Sequence, residues 1–319
     1  GPYEELTNLD FALNEKTLTF KAKIDNKYFI ISANKRYGPY DAVSNMQISS
    51  NKAVLAYTAK IEDAWYVISN EKRIGPYENL GYITFVPETT QIMYAAKIHD
   101  GWHIISDDIK IGPFDNIGSL HFSPKDKSLI YTAEVFDIWN VFTNEESFGP
   151  YCSVGNIHFS PDTNLLVYKA ESYNSWYIMS GKKRIGPFAS IGNFKFSADG
   201  TILAYAANID GDEWAFVTNN EVAGPYEYVK DLTFSPDTKT LAYTAKKHNK
   251  WQLIAWRKKT AVYDYISHLQ FTTDGTGLAF WAELDKEQLS KILINGKEYI
   301  GSITNDIVTY IDNGSIYTK

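Results

Sequence analysis

The chain has 319 residues, 44% hydrophobic and 15% aromatic, with 23 tyrosines, 17 phenylalanines and 8 tryptophans, ample material for a core and better suited to sheet than to helix. The net charge of -7, with acids and bases interspersed, speaks against a nucleic-acid binder, which carries a basic stripe. A single cysteine, Cys152, excludes an internal disulfide and a thiolate metal cluster, and no apolar run approaches the roughly 20 residues that span a membrane.

The chain opens on GPYEEL. With neither an initiator methionine nor a signal-like segment at its start, it is expected to be a processed product or an excised piece. The opening Gly-Pro-aromatic signature then recurs. Its glycines are Gly1, Gly38, Gly75, Gly112, Gly149, Gly186 and Gly224, spaced 37 residues five times and then 38, with a degenerate form at Ala261-Val262-Tyr263. Ten residues after the glycine comes Phe11, Ile48, Phe85, Phe122, Phe159, Phe196 or Phe234. Nineteen after it comes an aromatic such as Tyr57, Tyr94 or Tyr205, and about 28 after it Tyr28 or a tryptophan, Trp65 through Trp251. An internal repeat of this period sets the fold before any local reading does.

Within a unit four strands follow in order, here a to d. SLHF is strand a, SPKDK a turn, SLIYTAE strand b, IWNVFT strand c, NEE a second turn, and strand d runs into FGPY. Four short strands per unit of about 40 residues is the arithmetic of a β-propeller blade. Proline, lacking an N–H, belongs where no ladder partner is lost, and the glycine beside it lets the chain turn. The landmark aromatics are expected between adjacent sheets, each contributing roughly 2–3 kcal/mol of transfer free energy.

FSPKD, FSPDT (twice), FSADG and FTTDG, each followed by an LAY-like strand, resemble the WD-like repeats of bacterial TolB-type propellers over nearly the whole chain. That resemblance implies the propeller fold and a periplasmic or secreted location, and it implies no particular activity.

Past Phe280 the spacing slips. KILINGKEYI reads as a hairpin, IGSIT as another strand a, and IVTYI and SIYTK as strands b and c. The expectation is one propeller domain over 1–319 with nine blades, eight being the alternative. Residues 1–6 would complete the blade formed by about 301–319, three strands from one end and one from the other, and so remove an open edge.

Nine residues after each glycine lies a polar position expected to line the central channel: Asp10, Gln47, Thr84, His121, His158, Lys195, Thr233, Gln270 and, by alignment, Thr304. His121 and His158 would lie on neighbouring inner strands, but two ligands fall short of the three or four a metal site needs, so no metal is expected. The b–c turns vary most: Phe136 and Tyr173 stand where other units are polar, and Asp210 and Asp212 belong to the densest acidic cluster. No nucleophile elbow, phosphate-binding loop, zinc-protease or dinucleotide motif is present. The reading is a non-enzymatic, monomeric scaffold without cofactor, presenting its turns to a protein or peptide partner. The alternatives are a ligand-binding or lyase- or hydrolase-type enzyme using the polar channel, and a structural repeat domain of a larger envelope or secreted protein.

Overall fold

The structure, a computed structural model, describes residues 4–12, 17–32, 35–107, 109–161, 163–219, 221–238, 240–255, 258–285, 287–294, 297–304, 307–312 and 315–318. They form eight antiparallel sheets of the propeller-blade type, each an a-b-c-d meander, over 5–40, 42–77, 79–114, 116–151, 153–188, 190–226, 228–259 and 265–318. The first seven have four strands and the eighth has six. The chain divides into two compact units, 1–154 and 155–319, the boundary falling inside the strand Ser153–Phe159. Among the described residues no helix is long and apolar enough to cross a membrane.

Within each unit the core lies between consecutive sheets. Val67 of the second sheet packs with Leu80 and Tyr94 of the third, and Ile178 of the fifth with Phe194 and Tyr205 of the sixth. Strand b is covered on both faces, so in Leu55–Ile61 four consecutive residues, Ala56 to Thr58 and Ala59, are buried despite the period-2 geometry of a strand. An alanine 21 residues after the signature glycine recurs at Ala22, Ala59, Ala96, Ala133, Ala170, Ala207, Ala245 and Ala282, all at most 3% exposed. A larger side chain there would meet a fully packed interior. The landmark ring 19 residues after the glycine is the most deeply buried, for example Tyr168 at 1%, whereas Trp65, Trp102 and Trp176 are half-buried.

The signature itself is a β-bulge in strand d. In the fifth sheet Trp176 pairs with Phe188 and Ile178 with Ile185, so Gly186 and Pro187 together stand opposite Tyr177 alone. A proline costs no ladder bond at such a place. Gly186 has φ +139°, and a Cβ there would lie 2.8 Å from Tyr177 Cδ1 and 2.9 Å from the Trp176 carbonyl, so only glycine fits. In the degenerate unit the bulge is kept without its glycine and proline: the Thr260 N–H donates to the Leu253 carbonyl at 3.0 Å and Tyr263 bridges Trp251 through N–H···O bonds of 2.8 and 2.9 Å, so Ala261 and Val262 stand together opposite Gln252.

The FSxDG-type stretch is the a–b turn. Ser197 Oγ donates to Asp199 Oδ1 at 2.5 Å and accepts from the Ile202 N–H at 3.0 Å, while Asp199 also accepts the Thr201 N–H at 3.1 Å. Thr272 and Asp274 repeat the arrangement in the eighth sheet. The motif that carried the family resemblance is therefore a turn staple.

Two expectations about the chain ends fail. Instead of opening a ninth blade, IGSIT continues the strand Lys297–Thr304, which pairs through Lys297–Ile300 with Glu287–Ile294 and through Ile300–Thr304 with Ile307–Asp312. KEYIGSIT has no Gly-Pro-aromatic bulge between its halves, so nothing bends the chain out of the sheet, and its free edge recruits the following hairpin. There are accordingly eight sheets rather than nine, and Thr304 sits in a fourth strand instead of a first. At the other end Glu5 and Leu6 pair with Lys23 and Ala22 as the start of the first sheet. The expected clasp at residues 4–6 is thus part of its own sheet, and Gly1 to Tyr3 lie outside the described residues.

Candidate functional site

The b–c turns at 25–26, 136–137, 173–174 and 248–249 have positive φ at both positions, and Glu62 and Asp285 take it in theirs, a conformation that favours residues tolerating the left-handed region. Asp25-Asn26 (50° and 61°) follow that rule at both positions, and Asp137 (63°), Asn174 (60°) and Asn249 (61°) follow it at the second position of their turns. The residue after the signature aromatic caps these turns. Asp41 accepts the Glu62 N–H at 2.7 Å, Asp115 that of Phe136 at 2.6 Å, Glu227 that of Asn249 at 3.1 Å and Asp264 that of Asp285 at 2.9 Å. Asp41 also pairs with Lys27, and Asp264 with Lys250 at 2.5 Å; these lysines, with the turn N–H bonds, hold both carboxyls below the usual range. The recurrent acid in GPYD and GPYE, which sequence reading passed over, is a turn cap.

Phe136 (φ 53°, 87% exposed) and Tyr173 (φ 51°, 90% exposed) break the rule. A bulky ring in the left-handed region costs on the order of 1–3 kcal/mol, and neither ring recovers it by packing. Both residues singled out in the sequence therefore stand out from the surface at the tips of their turns.

In the second unit the same end of the sheets holds more aromatic surface than the sequence reading recognised. Ring centroids run from Trp214 to Tyr228 (5.0 Å), Tyr228 to Trp251 (6.1 Å) and Trp251 to Tyr265 (6.2 Å), with the Lys230 ammonium 4.7 Å from Trp251 and 4.0 Å from Tyr265. Tyr228 and Tyr265 are exposed. A signal was available: four residues after the signature glycine the other units have Ala42, Asn79, Asn116, Ser153 and Ser190. In the first unit this end has a cleft of about 560 Å³ between the second and third sheets, bordered by Asp63, Glu78, His99 and Asp100, with His99 Nδ1 3.7 Å from Glu78.

Asp210 and Asp212 form a self-contained turn. Asp210 Oδ1 accepts the N–H groups of Asp212 (3.2 Å) and Glu213 (3.0 Å), and Asn208 exchanges two bonds with Gly211. The polar row keeps one register on strand a: Gln47 opposite Ala56, Thr84 opposite Met93, His121 opposite Ile130, Lys195 opposite Ala204, Thr233 opposite Ala242 and Gln270 opposite Ala279. Asp10 pairs with Thr19 along the backbone, and the side chains of Asp10 and Thr304 lie outside the described residues. His158 meets the edge of Phe194 at 4.8 Å, and the desolvation there lowers its pKa, which keeps the imidazole neutral. Among the described residues no group of three or more His, Cys, Asp or Glu is placed to hold a metal ion.

No protein-family profile matches the chain, and no curated protein matches it in sequence. Solved structures that it is similar to include the Dos1 propeller, at 10% identity and a TM-score of 0.45 over 90% of this chain and 92% of that one. The β-propeller domain of the Trilobed protease from Pyrococcus furiosus has 15% identity and a TM-score of 0.40, over 80% of this chain and 96% of that one. Dihydro-heme d1 dehydrogenase NirN in complex with DHE has 12% identity and a TM-score of 0.45, over 86% of this chain and 70% of that one. Likenesses this low carry nothing about binding or catalysis.

Proposed function

We propose that the chain is a non-enzymatic β-propeller scaffold that binds a protein or peptide partner on the b–c turn end of its sheets. The observation that carries this reading is that Phe136 in the first unit and Tyr173 in the second are each a large ring held in strained backbone, 87% and 90% exposed. Strain kept without a packing return points to a use outside the folded chain. Exposed aromatics are the side chains that anchor protein partners, and Tyr228 and Tyr265 extend them in the second unit. The acids of this end are engaged in capping turns and pairing with lysines, which suits a rigid presenting surface more than a reacting centre.

Phe136→Asn and Tyr173→Asn test the reading in two ways. Asparagine tolerates the left-handed region, so each variant should gain about 0.5–1 kcal/mol of stability in urea unfolding. Peptides selected from a random displayed library on the intact chain should bind one or the other single variant at least about tenfold more weakly. A loss of stability would make the rings structural, and unchanged peptide affinity would remove them from the binding surface; either result overturns the proposal.

A further inference from the structure

The opposite end of the sheets, where the a–b and c–d turns lie, has a cleft of about 860 Å³ between the fifth and sixth sheets. Its counterpart between the first and second sheets holds about 140 Å³. The two linings correspond along the repeat, with Ser180, Leu203, Tyr205 and Asn219 standing for Ser32, Leu55, Tyr57 and Asn70. In the small cleft the Tyr37 hydroxyl donates to Glu71 Oε1 at 3.2 Å, and Lys35 Nζ reaches the same oxygen at 3.4 Å. The Tyr57 hydroxyl bonds that of Tyr40 at 2.9 Å. In the large cleft Ile185 replaces Tyr37 and Phe188 replaces Tyr40. The sequence position of Glu71 is taken by Asn220, which lies outside the described residues.

These exchanges leave two groups, the Tyr205 hydroxyl and Lys183, without the partners that Tyr57 and Lys35 have. Tyr205 is 3% exposed and lines the cleft, and among the described residues no hydrogen bond reaches its hydroxyl; its ring contact is with Phe188 at 6.0 Å. The hydroxyl is not sealed in, because the one sealed, unbonded side-chain polar atom among the described residues is Thr7 Oγ1. Desolvation pushes the Tyr205 phenol up to about 12, so it is a neutral hydrogen-bond donor at any physiological pH. Lys183 and Arg184 border the same cleft, both exposed and, among the described residues, neither engaged by a carboxylate. Stacking at 3.5 Å over the Tyr177 ring holds the Arg184 guanidinium in place. Asp199, beside the cleft residue Gly200, is taken up by Ser197, Thr201 and Thr238. The lining is mixed, with Phe196, Leu203 and Val217 forming an apolar stretch among hydroxyl and amide residues such as Ser160, Ser180 and Asn219.

A cavity of ligand size with an apolar stretch in its lining, one buried donor and two cations without a carboxylate partner at its mouth calls for a molecule with a charged end and a greasy end. We propose that this cleft binds a small organic anion, with Lys183 and Arg184 holding its carboxylate or phosphate group, the Tyr205 hydroxyl donating to it, and its apolar body lying against Phe196, Leu203 and Val217. The inference is independent of the b–c turns, which lie at the other end of the strands.

Titration calorimetry on the full chain tests it with four probes: 4-phenylbutyrate, phenyl phosphate, inorganic phosphate alone and the neutral 4-phenylbutanol. One or both organic anions should bind, the tighter one identifying the head group, and inorganic phosphate and the alcohol should each bind at least about tenfold more weakly. Tyr205→Phe should weaken the tighter anion about tenfold, and Lys183→Gln with Arg184→Gln should do so further. The proposal is overturned if neither organic anion binds at about 10 mM, if the alcohol or inorganic phosphate binds as well as they do, or if Tyr205→Phe and the charge variant leave affinity unchanged.

Discussion

The cleft between the first and second sheets and the cleft between the fifth and sixth occupy the same place in the same repeat, yet one is closed and the other open. In the closed cleft the hydroxyls and the lysine take partners across the cleft: Tyr37 and Lys35 on Glu71, and Tyr40 on Tyr57. In the open one Ile185 lines the cleft and Phe188 meets the Tyr205 ring without a hydroxyl to offer, so that among the described residues Tyr205 and Lys183 lack the partners of Tyr57 and Lys35. The frame hardly changes between them. Arg36 stacks on Phe29 at 3.5 Å as Arg184 stacks on Tyr177, and Tyr40 meets Tyr57 at 5.9 Å and 62° as Phe188 meets Tyr205 at 6.0 Å and 68°. A tandem repeat can thus hold its backbone and core constant while the positions lining one cleft drift toward a ligand.

The largest expected effect tests whether the frame really is shared. Gly38 in the closed cleft's sheet has φ +130° and a Cβ position 2.8 Å from Phe29 Cδ1, close to the +139° and 2.8 Å of Gly186. Gly38→Ala and Gly186→Ala should therefore each lower stability by about 2–4 kcal/mol, read by urea unfolding. A loss at Gly38 alone would mean the open cleft rests on a different frame. A smaller effect tests the lining. Tyr40→Phe leaves the buried Tyr57 hydroxyl without its partner and should cost about 1–2 kcal/mol. Phe188→Tyr gives Tyr205 the partner it lacks and should add about 0.5–1.5 kcal/mol. If the two exchanges moved stability in the same direction, hydroxyl pairing would not be what separates the clefts.

The blade plan was legible because it rests on spacing: a glycine every 37 residues, a ring at 19 and a tryptophan near 28 each mark one place in a four-stranded meander. The count failed at KEYIGSIT, since a strand that continues and a strand that begins look alike there, and only the missing signature distinguishes them. Phe136 and Tyr173 were legible because they interrupt a column of turn formers. Tyr228 and Tyr265 interrupt a column of small residues just as clearly, but their importance depends on Trp214 and Trp251 lying beside them across sheets. Tyr205 is the extreme case. It looks like every other strand-b tyrosine until the ring of the preceding signature is seen to meet it, and the substitution that matters is at Phe188, 17 residues away.

The smallest expected effect separates the clefts by charge. The a–b turn beside the open cleft is stapled by Asp199, whose carboxyl is held at about 2, below its ordinary 3.8, first by the Ser197 hydroxyl and then by the Thr201 N–H. The corresponding turn of the closed cleft uses Asn51, which accepts from Ser49 Oγ at 2.7 Å and from the Ala53 N–H at 3.1 Å and does not titrate. A carboxyl whose folded pKa is depressed stabilises the fold above its unfolded value, and that stabilisation is lost as the pH falls through the folded one. Between pH 4 and pH 2 the Thr201 amide should therefore lose protection against hydrogen exchange relative to the Ala53 amide, once both are corrected for intrinsic exchange rates. Asp199→Asn should remove the difference. Parallel protection at the two amides throughout that range would show that the carboxylate adds nothing an amide does not, and would confine the contrast between the clefts to Tyr205, Lys183 and Arg184.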